Sequence, residues 1–531
     1  MKRCKWNWIW AIVLIVGLYG VSACSENDDE PGTPNTENPD KPGDGNEDDK
    51  GPDEDEPLEP GDPSAPGTKG GKQVIGYLTQ WDAWKGTEHG MPQAGVANQL
   101  NIDYSKYTIL NYSFFGVAKD GSLHSGDYRN KNIWMEGTVQ DPKPLLGNVY
   151  DSWDHWLLYG DLELVHDISE WNQDKLKGEY KSHADGWIHT PTGLTGEFPI
   201  PLPKQGGAKG LFELAKENNV RVMASIGGWS MCRHFPEMAR SASKRERFIE
   251  DCKTLIRMGF DGIDIDWEYP GPYAGMNFTG SQADFANFTT LMEELREAIG
   301  PNRLLTAAFN CSPTKLQGFN WNKLNATMDF FNIMSYDIQG GWSNIAGHNS
   351  PLYPYTGEEG GDLAWDTSRK ALEAAGVDMS KVNMGVALYG RSVVTTGSAK
   401  LNAPTVKISK TIQPDGAIQT AADYDNFGQF DGTPFNSYIR SNTANWTEHW
   451  DDEAKVPYKT NGKYFLSYEN EKSVALKAQY VKDHNLGGVI FWEVFSDIDY
   501  GPVQSVYDGK LRQTGSNRSP LVEKIVSEFG G

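Results

Sequence analysis

Eight short runs of apolar and β-branched residues recur along the chain, at 74–78, 107–115, 220–226, 262–267, 304–308, 330–334, 382–387 and 488–492. Amphipathic stretches lie between them, with helices predicted at 210–218, 244–258 and 471–484, each leading directly into the next run. This alternation predicts parallel β/α units, and eight is the number that closes a (β/α)8 barrel. A chain of 531 residues is long enough for such a barrel with additions. Two gaps are too long for plain loops, about 119–205 between strands two and three and about 392–468 after strand seven. Both are expected as insertions at the rim of a body spanning 72–515, followed by a short C-terminal segment, 516–531.

The region before the first strand has a different composition. Lys2, Arg3 and Lys5 precede an apolar stretch at 6–21, the charged start and hydrophobic middle of a secretory signal. It ends in Val21-Ser22-Ala23-Cys24, which resembles the lipobox of bacterial lipoproteins. That resemblance implies a signal peptide over 1–23, an acylated Cys24, and a place at the bacterial outer membrane or cell surface. Plain secretion or an uncleaved signal anchor is the alternative. Residues 24–71 are rich in Pro, Gly, Asp and Glu, with almost no large apolar side chain, and are expected to form an acidic, self-repelling tether.

Net charge is −23, but residues 25–70 hold sixteen acids against three lysines, so about −13 belongs to the tether. Either part is too acidic for a polyanion such as nucleic acid. Of five cysteines, only Cys232, Cys252 and Cys311 fall in the body, without the spacing of a zinc site or a disulfide framework. No cofactor or metal is called for. Tryptophan is abundant, with 18 residues, and aromatic faces suit the stacking of sugar rings.

The fourth run carries the chemistry. In Asp261-Gly262-Ile263-Asp264-Ile265-Asp266-Trp267-Glu268-Tyr269-Pro270, acidic and apolar residues alternate with period two. On a strand, Asp264, Asp266 and Glu268 therefore share one face, with Ile263, Ile265 and Trp267 on the other. In a barrel the acids point inward and Glu268 stands last, at the C-terminal end where active sites form. Three carboxyls about 6–7 Å apart along one strand cannot all ionise freely. A proton retained on Glu268 suits a general acid. A solvated edge strand or a Mg²⁺ or Ca²⁺ site could also use alternating acids, although Tyr269-Pro270 and the Ile and Trp face suit a buried strand.

The same segment resembles the Asp-x-x-Asp-x-Asp-x-Glu signature of family 18 glycoside hydrolases, filled at Asp261, Asp264, Asp266 and Glu268. Ser225-Ile226-Gly227-Gly228-Trp229, Met334-Ser335-Tyr336-Asp337 and the terminal Trp492 resemble three further elements of that family, in order. The resemblance implies hydrolysis assisted by the substrate's own 2-acetamido group. By the same resemblance Glu268 is the acid, Asp266 orients the acetamido N–H, Asp264 shares a proton with Asp266, and Tyr336 bonds the acetamido carbonyl. Asp337 contacts sugar, Trp492 forms an apolar floor, and Met334 fills space below it. Tyr77, Trp81 and Trp229, near strand ends, complete the candidate substrate contacts, with Trp84 a further stacking candidate. Ser225, Gly227 and Gly228 read as barrel architecture that admits close backbone approach, and Asp261, off the parity of the row, as support for the strand start.

The second insertion resembles the small α+β domain of one branch of the family, a wall that deepens a groove. In the first, Trp134, Trp153, Trp156, Tyr159, Trp171 and Trp187 are expected mainly as a local core. The resemblance implies hydrolysis of chitin or chitooligosaccharides, and a monomer is expected because a tethered enzyme with its groove open to solvent has no need of a partner. The alternatives are an endo-β-N-acetylglucosaminidase acting on N-glycan cores and a non-catalytic glycan-binding protein, although relatives of the last kind replace the acid that is present here as Glu268.

Overall fold

The computed structural model describes residues 58, 61, 65–87, 90–125, 139–150, 152–184, 186–276, 278–357, 359–406 and 432–531. The signal peptide, Cys24, most of the tether and Trp134 lie outside the described residues.

Eight parallel strands form the barrel: β1 (Gln73–Thr79), β2 (Ile109–Val117), β3 (Arg221–Gly227), β4 (Gly262–Asp266), β5 (Leu304–Asn310), β6 (Phe330–Met334), β7 (Val382–Ala387) and β8 (Gly488–Trp492). Neighbours pair in that order, and β1 pairs with both β2 and β8, which closes the ring. Each expected run is a strand, with ends shifted by no more than about two residues. The helices Leu211–Glu217, Ala242–Met258 and Glu471–Asp483 lie where they are expected. The last of these opens with a capping box between Asn470 and Ser473, which occupies donors the first turn would otherwise leave open.

Two regions differ from expectation. Among the described residues no α-helix joins β1 to β2, only 3-10 turns at Gln80–Trp84, Gln99–Asn101 and Tyr104–Lys106. Residues 516–531 are not an appendage, because Pro520–Phe529 is the helix that follows β8. Its Leu521, Val522, Ile525, Val526 and Phe529 are buried, and Asp497 accepts hydrogen bonds from the Leu521 and Val522 amides at 2.8 and 3.2 Å.

The first insertion carries a two-stranded and a three-stranded antiparallel sheet. Trp153, Trp156 and Trp187 are buried there, while Trp171 is 73% exposed. The second forms a four-stranded antiparallel sheet in the order Arg391–Val394, Tyr464–Ser467, Val456–Asn461, Thr447–Asp451, with the helix Asn436–Asn442.

The alternation in β4 sorts its side chains. Ile263, Ile265 and Trp267 join the apolar layer between strands and helices, and Trp267 stacks on Phe235 with ring centroids 5.4 Å apart. Asp264 and Asp266 project the other way, into a barrel lumen filled by Tyr77, Met223, Ala308, Met334, Tyr336 and Ile490.

Candidate active site

Asp264 is the deepest of the three acids, fully buried, and its neighbours in register are Ser225 on β3 and Thr306 on β5. Both hydroxyls donate to it, at 2.7 and 2.6 Å. Tyr77 from β1 donates at 3.0 Å and the Asn332 amide from β6 at 3.3 Å. Burial pushes the Asp264 carboxyl up, and these four donors oppose the rise. Donors from four other strands thus hold Asp264 beside Asp266, whose carboxyl its charge helps to push up.

Asp266 is 2% exposed, yet its Oδ1 has no hydrogen-bond partner. Burial raises its pKa well above the carboxylate range, and the charges of Glu268 and Asp264 raise it further. A buried polar atom without a partner costs about 1–3 kcal/mol, so this oxygen is an open valence at the centre of the site. Glu268 follows two residues later, beyond the strand end and half-buried. Its pKa is raised to about 7, first by burial and also by the charge of Asp337. The Tyr269 hydroxyl, the Lys315 ammonium and the Trp229 amide hold it down.

Other elements shape the cup around these acids. Gly227 and Gly228 lie at φ +117° and +75°, a region favouring glycine. A Cβ on Gly227 would sit 2.2 Å from the Asp266 carbonyl oxygen, and one on Gly228 would strike the Phe114 ring at 2.4 Å. Phe114 occupies the register shift between β2 and β3 and stacks on Trp492 at 5.6 Å. Trp81 lies 6.2 Å from Trp492, and both are partly exposed. Tyr336 and Met334 are nearly buried at the end of β6. Gly385 on β7 leaves room for the tyrosine ring, which a Cβ there would meet at 2.6 Å.

Asp337, at φ +58°, accepts from the Tyr389 hydroxyl and from Arg391, whose Nη2 lies 2.8 Å away. The Arg391 guanidinium also covers the Trp342 ring at 4.9 Å.

The strand order thus gathers Asp264, Asp266, Glu268, Tyr336, Met334, Asp337 and Trp492 at one end of the barrel, with Trp229 and Trp81 at its edge. Two expectations change. Tyr77 is 1% exposed and its hydroxyl is committed to Asp264, so it supports the acid row and leaves no free hydrogen to a sugar. Ser225 does more than make room, because it is a direct donor to Asp264. Asp261 stays outside the cup, accepting from Arg221 at 3.2 Å and from the Val222 amide at 2.8 Å.

Residues not singled out from sequence are Phe114, Thr306, Asn332, Tyr389, Arg391 and Cys232, whose sulfur accepts from the Glu268 amide at 3.2 Å. Tyr389 and Arg391 follow the end of strand seven, and that position alone could have flagged them.

A family model described as "Glycosyl hydrolases family 18" matches residues 73–497. Chitinase A1 of Niallia circulans is 29% identical over 446 residues, covering 80% of this chain and 56% of that protein. A probable endochitinase of Caenorhabditis elegans is 31% identical over 371 residues, covering 66% of this chain and 55% of that protein. The chain thus spans little more than half the length of either relative. The structure of chitinase ChiA74 from Bacillus thuringiensis superposes with a TM-score of 0.62 at 24% identity, covering 87% of this chain and 70% of that one, a likeness of fold. The matched model spans the closed barrel and the whole acid row, and the chain belongs to glycoside hydrolase family 18.

Proposed function

We propose that the protein hydrolyses β-1,4 linkages between N-acetylglucosamine units, in chitin or chitooligosaccharides, by a retaining mechanism in which the substrate's 2-acetamido oxygen is the nucleophile. The observation that carries this reading is the contrast within the row: Asp264 has four donors, whereas the buried Oδ1 of Asp266 has none. An acetamido N–H supplied by the substrate is the donor that oxygen lacks. Once bonded, it holds the acetamido carbonyl towards the anomeric carbon and favours the positive charge that develops there.

The steps follow from the groups present. The acetamido oxygen attacks the anomeric carbon as the glycosidic bond breaks, and the Glu268 proton passes to the departing oxygen. Glu268, now a carboxylate, removes a proton from the incoming water, which opens the oxazolinium ion and restores the acetamido group. A pKa of about 7 lets one carboxyl serve both steps. Tyr336 is assigned to the acetamido carbonyl, and Trp492, Met334, Trp81 and Trp229 to the apolar surfaces of the sugars. Asp337 is assigned to sugar contact in a position set by Tyr389 and Arg391.

The names of the relatives favour chitin over the N-glycan core, and Glu268 with its retained proton speaks against a purely binding role. The test is cleavage of soluble chitooligosaccharides, set beside glycan release from a high-mannose glycoprotein, by the full chain and by Glu268→Gln. Oligosaccharide cleavage that disappears in the variant supports the proposal. Glycan release in its place moves the assignment to an endo-β-N-acetylglucosaminidase, and chitin binding without cleavage of either substrate moves it to a lectin.

For location we propose a lipid on Cys24 holding the enzyme at the outer membrane or cell surface, supported by the sequence from Lys2 to Cys24. Palmitate labelling that persists in Cys24→Ala would contradict it.

A further inference from the structure

Two consecutive residues beyond β6, Asn349 and Ser350, are buried and lie against the turn that carries Tyr336 and Asp337. The Ser350 hydroxyl donates to the Ser335 carbonyl at 2.6 Å, the Asn349 side-chain oxygen accepts from the Asp337 amide at 2.9 Å, and the Asn349 carbonyl accepts from the Ile338 amide at 3.1 Å. Backbone groups on both sides of Tyr336 are thus bonded to one dipeptide. From the neighbouring strand, the amide of Gly385 donates to the Ser335 hydroxyl at 2.8 Å, and Gly385 is the residue whose missing side chain leaves room for the Tyr336 ring. Asp337 sits at φ +58°, a region that a residue other than glycine holds only when its surroundings impose it. The hydrogen bonds from Asp337 and Ile338 to Asn349 supply that restraint.

The dipeptide is itself held from behind. Lys477, on the helix Glu471–Asp483, is fully buried and donates to the Ser350 carbonyl at 2.7 Å and to its hydroxyl oxygen at 2.8 Å. Its third bond goes to the Glu469 carboxylate, whose other oxygen accepts from the Ser473 hydroxyl at 2.5 Å. The Asn349 amide donates to the Ser467 hydroxyl at 2.8 Å, at the end of the strand Tyr464–Ser467 of the second insertion. A buried ion pair gives little net stability beside apolar packing. What this one supplies is direction, because a hydroxyl that accepts from an ammonium has its own hydrogen turned towards the next acceptor, here the Ser335 carbonyl.

Resting on the function proposed above, we propose that Asn349 and Ser350 are positioning residues, which hold Tyr336 and Asp337 where a bound sugar meets them and tie that turn to the second insertion through Ser467, Glu469 and Lys477. Tyr336 is assigned to the acetamido carbonyl, and the oxygen of that group must reach the anomeric carbon. A displaced tyrosine leaves the sugar bound by its other contacts while attack becomes rarer. The loss therefore falls on kcat and spares KM.

The experiment measures kcat and KM of the full chain on a soluble chitooligosaccharide, beside the denaturant midpoint, in wild type, Ser350→Ala, Asn349→Ala, Tyr336→Phe and the Ser350→Ala/Tyr336→Phe pair. In Ser350→Ala, kcat should fall by about ten- to a hundredfold with KM within about threefold of wild type. Asn349→Ala should show the same split. In the pair, the effect of Ser350→Ala on kcat should shrink to less than half of its value on a logarithmic scale, since the hydroxyl that Ser350 positions is gone. A dipeptide serving only to pack the loop would lower the midpoint and leave kcat of the folded protein unchanged. That result, or full additivity in the pair, overturns the inference while leaving the function intact. If Ser350→Ala does not fold, Asn349→Ala decides by the same split, and an unchanged kcat there overturns the inference equally. Wild-type protein that cleaves nothing fails the function itself, and the inference with it.

Discussion

The protein has two groups of buried carboxyls close to the upper end of its barrel, and they are built on opposite terms. At the junction of β1 and β8, Glu493 lies 3.1 Å from the Thr79 hydroxyl oxygen and accepts from the Phe495 amide at 2.9 Å and from the Ser496 hydroxyl. Beside it Asp82 accepts from Thr79 at 2.5 Å and pairs with the buried Lys85 ammonium at 2.6 Å. Burial pushes Glu493 up to about 8, with the charge of Asp82 adding to the rise. In the β4 row Glu268 is pushed to about 7, a similar displacement, but Asp266 keeps a buried oxygen without any donor. A raised pKa therefore does not separate the two groups. What separates them is the cation: the buried Oδ1 of Asp82 also lacks a well-aligned hydrogen-bond donor but has the Lys85 ammonium at 2.6 Å, whereas the buried Oδ1 of Asp266 has neither and is left for something that arrives from outside.

Several changes would break or sharpen that contrast. The largest effect is expected from Glu268→Gln, with kcat for chitooligosaccharide cleavage falling by about a hundred- to ten-thousandfold and no loss of thermal stability. A fall of less than tenfold would remove Glu268 from the chemistry. Lys85→Met should do the reverse: leaving two buried acids without their cation costs about 3–5 kcal/mol, read as a lower denaturant midpoint, while kcat of the folded protein stays within about threefold. Ser225→Ala lies between these two. It strips one of four donors from Asp264, for a loss of about 1–3 kcal/mol together with reduced activity, and an unaltered enzyme would show that the four donors are redundant.

The smallest effect is in the pH dependence of stability. Glu493 and Glu268 have folded pKa values above their ordinary 4.5, so the folded state binds more protons than the unfolded one as pH rises from there to about 7 for Glu268 and about 8 for Glu493. Each of the two groups should lower stability by up to about 1.4 kcal/mol per pH unit through its own window, with the decline levelling off above about 8. In Glu268→Gln the portion ending near 7 should disappear, whereas a slope unchanged in that variant would place the titration elsewhere.

The acid row was readable from sequence because period-two alternation is a local signal that fixes which face each side chain takes. The hydrogen bonds that give the row its character were not. Tyr77, Ser225, Thr306 and Asn332 reach Asp264 from four other strands, 187, 39, 42 and 68 residues away in sequence, and only barrel closure brings them together. Phe114 was hidden by the irregularity that places it, since a register shift breaks the alternation used to assign faces. The helix Pro520–Phe529 carried a readable pattern in Leu521, Val522, Ile525, Val526 and Phe529. It lies beyond the last of the family motifs, at Trp492. In the first insertion the short strands Tyr180–His183 and Leu194–Glu197 contain charged and small residues on half-exposed surfaces, where hydrophobic period is weakest.

The account rests on the substrate completing Asp266 and supplying its own nucleophile. The most direct test compares kcat/KM of the full chain on a chitooligosaccharide with that on a chain of equal length from which every N-acetyl group has been removed. Without acetamido groups there is neither an oxygen to attack the anomeric carbon nor the amide N–H to fill the open valence, so cleavage should fall by at least about a thousandfold. Comparable rates on the two chains would contradict substrate assistance and leave the unpartnered oxygen of Asp266 without its explanation.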